Sequence, residues 1–327
     1  MALYAFDGTW NTQKDNDEQY DNTNVCRFYA AYKATSGTHD VYEKGIGTRF
    51  ESVPVVGAVT RAVGGAFGAG ELDRLLDAYQ QLCINVVEKG DPVIDLVGFS
   101  RGAATCLDFC NLVEDWQIKD PKKLGPKWRL DTFLSAPTVA APPPFRFVGL
   151  FDVVGAFGLG AIAGDLNVFN LGHKLRLPKT RVNYCFHAMA LDETRAAFNV
   201  IRVKGAHEVW FRGVHSDIGG GDRIRGLNDI TLRWMFRKAV AAGLPIDPQV
   251  IDDLKVDHNI HPDLHDVPPI WRPLAKTDVL HYTVRTFADS RPLFTECPTE
   301  FPPDEAIAQP VAASGVAADA DPVAVQG

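Results

Sequence analysis

The chain has 327 residues, 46% of them hydrophobic, with 33 Lys and Arg against 41 Asp and Glu, a net charge of −8 and a pI near 5.6. That acidic balance supplies no positive field for a phosphate backbone, so nucleic-acid binding is disfavoured. The opening MALYAFDGTWN lacks a basic stretch followed by an apolar core, so no secretory signal is expected, and no uninterrupted apolar run reaches the ~18 residues of a membrane span.

Apolar runs at 3–6, 93–97, 145–151 and 208–214 read as strands, each closing on a polar, glycine-bearing turn. Helical periodicity occupies 71–87, 103–116 and 230–242, the last with Asn228 or Asp229 as its N-cap and Gly243 and Pro245 as its stop. Alternating strands and helices imply an α/β fold, a mostly parallel sheet covered on both faces, with ligands beyond the carboxyl ends of its strands. Residues 12–24 read as a polar surface loop. The Gly/Ala/Val-rich 53–70 reads as packed core, with a flap or a lipid-contacting element as alternatives. From 301 to 327 the composition turns to Ala, Pro, Asp and Val without periodicity, which predicts a disordered tail behind one domain at 1–300. Six cysteines show neither C-x-x-C nor zinc-ligand spacing and read as reduced, small apolar residues.

The informative stretch is DPVIDLVGFSRGAATCLDFC, beginning at Asp91. A β-branched run ends at Val97, helical spacing resumes at Ala103, and Gly98-Phe99-Ser100-Arg101-Gly102 fills the joint as G-x-S-x-G. In that setting the glycines remove Cβ atoms where strand and helix crowd, so that a serine hydroxyl projects from an elbow. Ser100 is therefore a candidate nucleophile, and the fold expected is α/β-hydrolase-like. A serine needs a base, and the base needs an acid to hold its tautomer. Asp152 ends the apolar run FRFVGLFD and is a candidate acid, with an Asx-turn or helix cap as the bland alternative and Asp165 and Asp192 as rivals. Among nine histidines His215 stands out, because EVWFRGVHSDIGGGD is a second strand running into a glycine-rich turn. His187, before a helix-like HAMALDETR, reads as a structural hydrogen-bonding residue. His258, His261 and His265 read as solvated, and Asp217 as a turn-stabilising residue.

Acyl transfer also needs donors for a developing oxyanion. The Arg101 N–H is one candidate, and the turn in FDGTWN offers Gly8 and Thr9, with Asp7 pinning that turn. No metal and no cofactor is called for. A metal site from Asp7, His215, Asp217 and Asp222 for phosphoester hydrolysis is a separate alternative.

FDGTWN at Phe6, TNV at Thr23, GIGT at Gly45, GFSRGA at Gly98, FDVVGAFG at Phe151, HAMALDETRAAF at His187, GVHSDIGGG at Gly213 and GLNDITLRWM at Gly226 occur in this order. Taken jointly over residues 2–287, they resemble the α/β-hydrolase domain family of type VI secretion phospholipase effectors. The resemblance implies a phospholipase or related carboxylic-ester hydrolase with Ser100 as nucleophile, Asp152 as acid and His215 as base. It implies a phospholipid or other lipid-ester substrate, peripheral membrane contact, a secretion spike or adaptor and an immunity protein as partners. It also implies synthesis in the cytoplasm and export into a target-cell periplasm. The large extra module of longer effectors is not expected here, which leaves 53–70 and the basic 119–129 as local candidates for membrane contact, with a solvated surface turn as the plainer reading of 119–129. A non-lipolytic esterase and a catalytically silent lipid- or partner-binding module are the alternatives.

Overall fold

Strand β1 (Ala2–Phe6) is buried along its whole length, and its side chains divide strictly by parity. Ala2, Tyr4 and Phe6 join one hydrophobic cluster, while Leu3 and Ala5 join another. A strand apolar on both faces belongs in the interior of a sheet covered on both sides. The computed structural model places it there, describing residues 1–8, 22–36, 39–45, 71–126, 130–155, 174–178, 181–221, 226–254, 256, 271–286, 293–305, 307 and 310–311.

After β1 the elements are α1 (Asn24–Ser36), β2 (Val41–Glu43), α2 (Glu71–Lys89), β3 (Ile94–Phe99), α3 (Arg101–Trp116), β4 (Ile118–Lys119), α4 (Leu130–Ser135), β5 (Thr138–Ala140), β6 (Phe145–Phe151) and β7 (Val182–Ala190). Then come β8 (His207–Phe211), α5 (His215–Gly219), α6 (Leu227–Ala241), α7 (Gln249–Asp252), β9 (Val279–His281), β10 (Thr299–Glu300) and α8 (Pro302–Glu305). Eight strands form one sheet in the order β10-β9-β8-β7-β6-β3-β1-β2, and each neighbouring pair is parallel. Strands β4 and β5 make a separate antiparallel pair. The fold is α/β, as expected. Helices α2 and α3 cover one face with Leu75, Leu76, Tyr79, Ala103 and Phe109. Helices α1 and α6 cover the other with Val25, Phe28, Trp234, Met235 and Phe236.

From β1 the chain passes outward to β2, and from β3 it proceeds in the opposite direction through β6, β7, β8 and β9 to β10. The order therefore reverses between β1 and β3, whose carboxyl ends lie at Phe6 and Phe99, the topological position where open α/β sheets bind ligands.

Three local expectations change. Residues 187–190, the start of the helix-like HAMALDETR, close the central strand β7 (Val182–Ala190), although Ala and Met favour helix; burial between β6 and β8 overrides the propensity. The polar loop expected to run to residue 24 ends in buried contacts, where the Asn24 side-chain amide donates to Ile218 O and Asn228 O, each at 2.9 Å, and begins α1. Helix α6 begins at Leu227 behind Gly226, so Asn228 and Asp229 lie in its first turn, and Arg27 holds Asp229 at 2.6 Å. The Gly243 stop, at φ +80°, is as read. The segments 53–70 and 257–270, with one membrane-contact candidate and three histidines, lie outside the described residues, as do 127–129 at the end of the other candidate, 119–129. Among the described residues no helix is long and apolar enough to cross a membrane, and all six cysteines are buried and outside any disulfide.

Residues just beyond 301 make contacts with the sheet and its helices. Buried Lys238 contacts Glu300 Oε1 at 2.6 Å and donates to the carbonyls of Asp304 and Ile307 at 2.7 and 3.0 Å. Val311 N–H donates to Asn183 O at 2.8 Å. An ammonium without access to water needs these oxygens, and that need anchors the start of the segment. Residues 312–327 lie outside the described residues.

Burial alone would raise the Glu300 carboxyl, but His207 and Lys238 outweigh it and pull its pKa from 4.5 down to about 2. Its stabilising contribution is therefore complete above pH 4.5 and is lost as pH falls toward about 2. Glu300→Gln, which leaves the Lys238 ammonium buried without its counter-charge, is expected to lower stability by about 3 kcal/mol in urea unfolding at pH 7. The difference from wild type should shrink as the pH approaches 2. Equal stability at pH 7 would contradict the role given to this pair.

Candidate active site

Ser100 separates the last residue of β3 from the first of α3 and has φ 59° and ψ −127°. A non-glycine residue at positive φ costs roughly 1–3 kcal/mol, so its neighbours must hold it there. Its N–H donates to Phe151 O at 2.9 Å, and its carbonyl accepts from Ala103 N–H at 3.1 Å. The flanking glycines are required by contact. A Cβ on Gly102 would lie 2.2 Å from Phe6 O and 2.6 Å from Asp7 O, and one on Gly98 would lie 2.6 Å from Gly102 O. The end of β1 thus presses directly on the first turn of α3, and only a bare backbone fits between them.

Asp152 follows β6 at φ 45°, with its N–H on Ala188 O at 2.8 Å. The next amide, Val153 N–H, donates to His187 Nε2 at 3.1 Å. The His187 ring proton is therefore on Nδ1, which donates to Glu208 Oε1 at 3.0 Å. His187 acts here as a strut beneath the Asp152 turn, in keeping with the structural role expected for it.

His215 is the first residue of α5, beyond the end of β8. Its Nδ1 lies 2.6 Å from Asp152 Oδ2 and its Nε2 lies 2.8 Å from Ser100 Oγ. An ionised carboxylate only accepts, so Nδ1 carries the proton and Nε2 is left to accept from the serine hydroxyl. Three side chains from positions 100, 152 and 215 thus form one continuous hydrogen-bonded relay. The rings of Phe99 and Phe198 pack on the imidazole with centroids 4.7 and 4.8 Å away.

Asp152 is fully buried, which by itself would raise its pKa. The Arg272 guanidinium and the His215 hydrogen bond reverse that effect and hold the carboxyl far below the usual carboxylate range. Arg272 forks onto it, with Nη1 to Oδ1 at 2.7 Å and Nη2 to Oδ2 at 2.9 Å. Burial lowers the His215 pKa, Asp152 pushes it back up, and Arg272 lowers it again. The ring is thereby kept in the neutral form that can take a proton. Glu193 accepts from His215 N–H at 3.1 Å and pairs with Arg195 at 2.7 Å, whose guanidinium lies 3.9 Å from the Phe198 ring centre.

The other sequence candidates are distributed as follows. Arg101 N–H opens α3 and has no acceptor within the helix. Buried Asp7 accepts from Thr23 Oγ1 at 2.8 Å, from the Tyr42 hydroxyl and from Gly8 N–H at 2.7 Å; burial nevertheless raises its pKa. The Gly8 amide expected to face a ligand is engaged by Asp7 instead, because a buried carboxylate takes the nearest donors. Thr9, Asp165 and Asp222 lie outside the described residues. Asp192 does not join the relay; it accepts from Arg212 Nε and Gly213 N–H, each at 2.7 Å. Asp217 accepts from Val214 N–H at 2.8 Å. Asp7 and Asp217 are thus committed to separate turns and not brought together around His215.

Sequence reasoning missed Glu193, Arg195, Phe198 and Arg272. The first three lie in DETRAAF, where two acids and a base directly after an apolar run were the available signal. Arg272, in the apolar, proline-rich PPIWRPLA, carried none.

A parallel α/β sheet with a strand-Ser-helix elbow at its switch point is the class this fold and site define. The sequence profile of the family described as "T6SS, Phospholipase effector Tle1-like, catalytic domain" matches residues 3–124 and 119–238, and the chain belongs to that family. An uncharacterized protein of Saccharomyces cerevisiae is 35% identical over 68 residues, which cover 18% of this chain and 10% of that protein. The crystal structure of an uncharacterized protein from Pseudomonas aeruginosa is similar with a TM-score of 0.48 and 21% identity, over 78% of this chain and 48% of that one. The chain thus spans about half the length of that solved structure and a tenth of the yeast relative.

The contact at Gly102 yields a direct test. Gly102→Ala is expected to lower stability by about 3 kcal/mol in chemical denaturation, since its methyl must displace the backbone of β1. A shift below about 0.5 kcal/mol would show that the elbow has room to spare.

Proposed function

We propose that the chain is a lipolytic serine hydrolase, a phospholipase that cleaves a carboxylic ester of a phospholipid through an acyl-enzyme on Ser100. The observation that carries this reading is the relay of 2.8 and 2.6 Å from Ser100 through His215 to Asp152. Ser100 Oγ attacks the ester carbonyl as its proton passes to His215 Nε2, and Asp152 stabilises the imidazolium through Nδ1–H. The tetrahedral oxyanion takes a hydrogen bond from Arg101 N–H at the positive end of α3. Nε2–H then protonates the departing alkoxide. Water, deprotonated by the same nitrogen, attacks the acyl-enzyme and releases the fatty acid with the serine restored.

Membership of the phospholipase effector family supports lipid as the substrate class. On this reading the protein is made in the cytoplasm, is carried by a secretion spike or adaptor into a target-cell periplasm, touches membranes peripherally and is neutralised by an immunity protein. The catalytic unit comprises residues 1–300, with the segment through Val311 bound to it.

Purified protein should release fatty acid from phosphatidylglycerol and phosphatidylethanolamine vesicles and be labelled at Ser100 by a fluorophosphonate. Ser100→Ala should abolish labelling and lower hydrolysis by about 10⁴-fold or more. Hydrolysis that survives Ser100→Ala would refute the mechanism. Turnover of monomeric esters without turnover of vesicles would instead indicate a non-lipolytic esterase.

A further inference from the structure

Arg272 lies 34 residues beyond the last position matched by the family profile, residue 238, yet it makes two hydrogen bonds to the relay's acid. Its Nη1 also donates to Ala190 O at 2.8 Å, and its Nη2 donates to Phe198 O. The guanidinium is buried with Asp152. Ala190 N–H donates to Asp152 Oδ1 at 2.9 Å, so this carboxylate oxygen has two donors while Oδ2 is shared between Arg272 and His215. The same guanidinium therefore touches the acid that orients the imidazole and the backbone of the phenylalanine that packs on it.

We propose that Arg272 is a positioning residue of the proton relay, its planar fork fixing Asp152 in the plane that reaches His215 Nδ1 and its charge offsetting the pull of Asp152 on the imidazole. This inference rests on the serine-hydrolase reading above. Only a fork can hold both carboxylate oxygens and two carbonyls at once, which a lysine cannot reproduce. A second chain of contacts brings the same C-terminal stretch to the other side of the Asp152 turn. Ala275 N–H donates to Asp278 Oδ2 at 2.8 Å, Asp278 pairs with Arg202 at 2.7 Å, and Arg202 pairs with Glu208 at 2.6 Å. Glu208 in turn holds His187, which accepts from Val153 N–H. The C-terminal segment thus braces the catalytic acid from two directions.

Three charged groups face the His215 ring or its backbone from elements packed against it: Asp152 after β6, Glu193 after β7, and Arg272. Asp217, on the helix of His215 itself, is turned onto Val214. With Arg272 in place the imidazole sheds its proton at lower pH than the burial and the two carboxylates alone would set. A base that must be neutral to act then works further into the acid range.

The test is the pH dependence of fluorophosphonate labelling and of kcat/KM for ester hydrolysis in the full chain. Arg272→Gln is expected to move the acidic limb up by about one pH unit and lower the plateau about tenfold. Arg272→Lys, which keeps the charge but not the fork, should leave the limb within about 0.3 unit while the plateau falls. A folded Arg272→Gln protein with the wild-type limb overturns the inference. Should that variant not fold, Arg272→Gln combined with Asp152→Asn, which removes both buried charges, is compared with Asp152→Asn alone. Rates within about twofold of each other support action through Asp152, and a further loss of tenfold or more overturns it. Ser100→Ala and His215→Ala separate the two levels: if either retains full hydrolysis the relay reading fails, whereas if both are inactive and the limb is unmoved in Arg272→Gln, only the role of Arg272 fails.

Discussion

A carboxylate with no surface in water has to be matched by donors, and at Asp152 that requirement organises the carboxyl edge of the sheet. Its partners come from three directions: Ala190 N–H at the end of β7, the His215 ring beyond β8, and the Arg272 fork from the C-terminal segment. Each partner has its own support. His215 is held through its backbone by Glu193, and Arg272 through Ala190 O and Phe198 O. Withdrawing any one of these would leave charge uncompensated in a region that water does not reach, so the group behaves as a unit.

The elbow at Ser100 depends on the same edge in another way. Positive φ angles at both Ser100 and Asp152 are tolerated because adjacent parallel strands supply acceptors for both amides, Phe151 O and Ala188 O. The register of β3, β6 and β7, in which Phe99 faces Phe151 and Phe151 faces Ala188, brings those carbonyls level with the two turns. The reversal of strand order between β1 and β3 places that elbow at the switch point of the sheet.

Much of this arrangement was legible in the sequence, for physical reasons that differ by residue. Ser100 was readable because a β-branched run, a glycine pair and an Ala-rich helix specify a strand-turn-helix in which a serine has little other purpose. His215 and Asp152 were readable as polar residues ending apolar runs, a placement that puts them at a sheet edge, although only three-dimensional proximity brings them to one another. The end of strand β7 reads as helical because Ala and Met carry helix propensity that burial on both faces overrules. Local reading does not reveal that buried Asp7 takes the Gly8 amide. Arg272 was invisible, since a long-range ion pair of sequence separation 120 leaves no local pattern.

The sheet also finishes in a particular manner. Its outermost strands, β2 and β10, are three and two residues long, although the interior strand β7 has nine. Parallel pairing that tapers in this way exposes only a few unpaired amides and carbonyls at each margin, too short a template for another polypeptide to add to. A chain this rich in β-branched and aromatic core residues is thereby guarded against edge-on self-association at high local concentration.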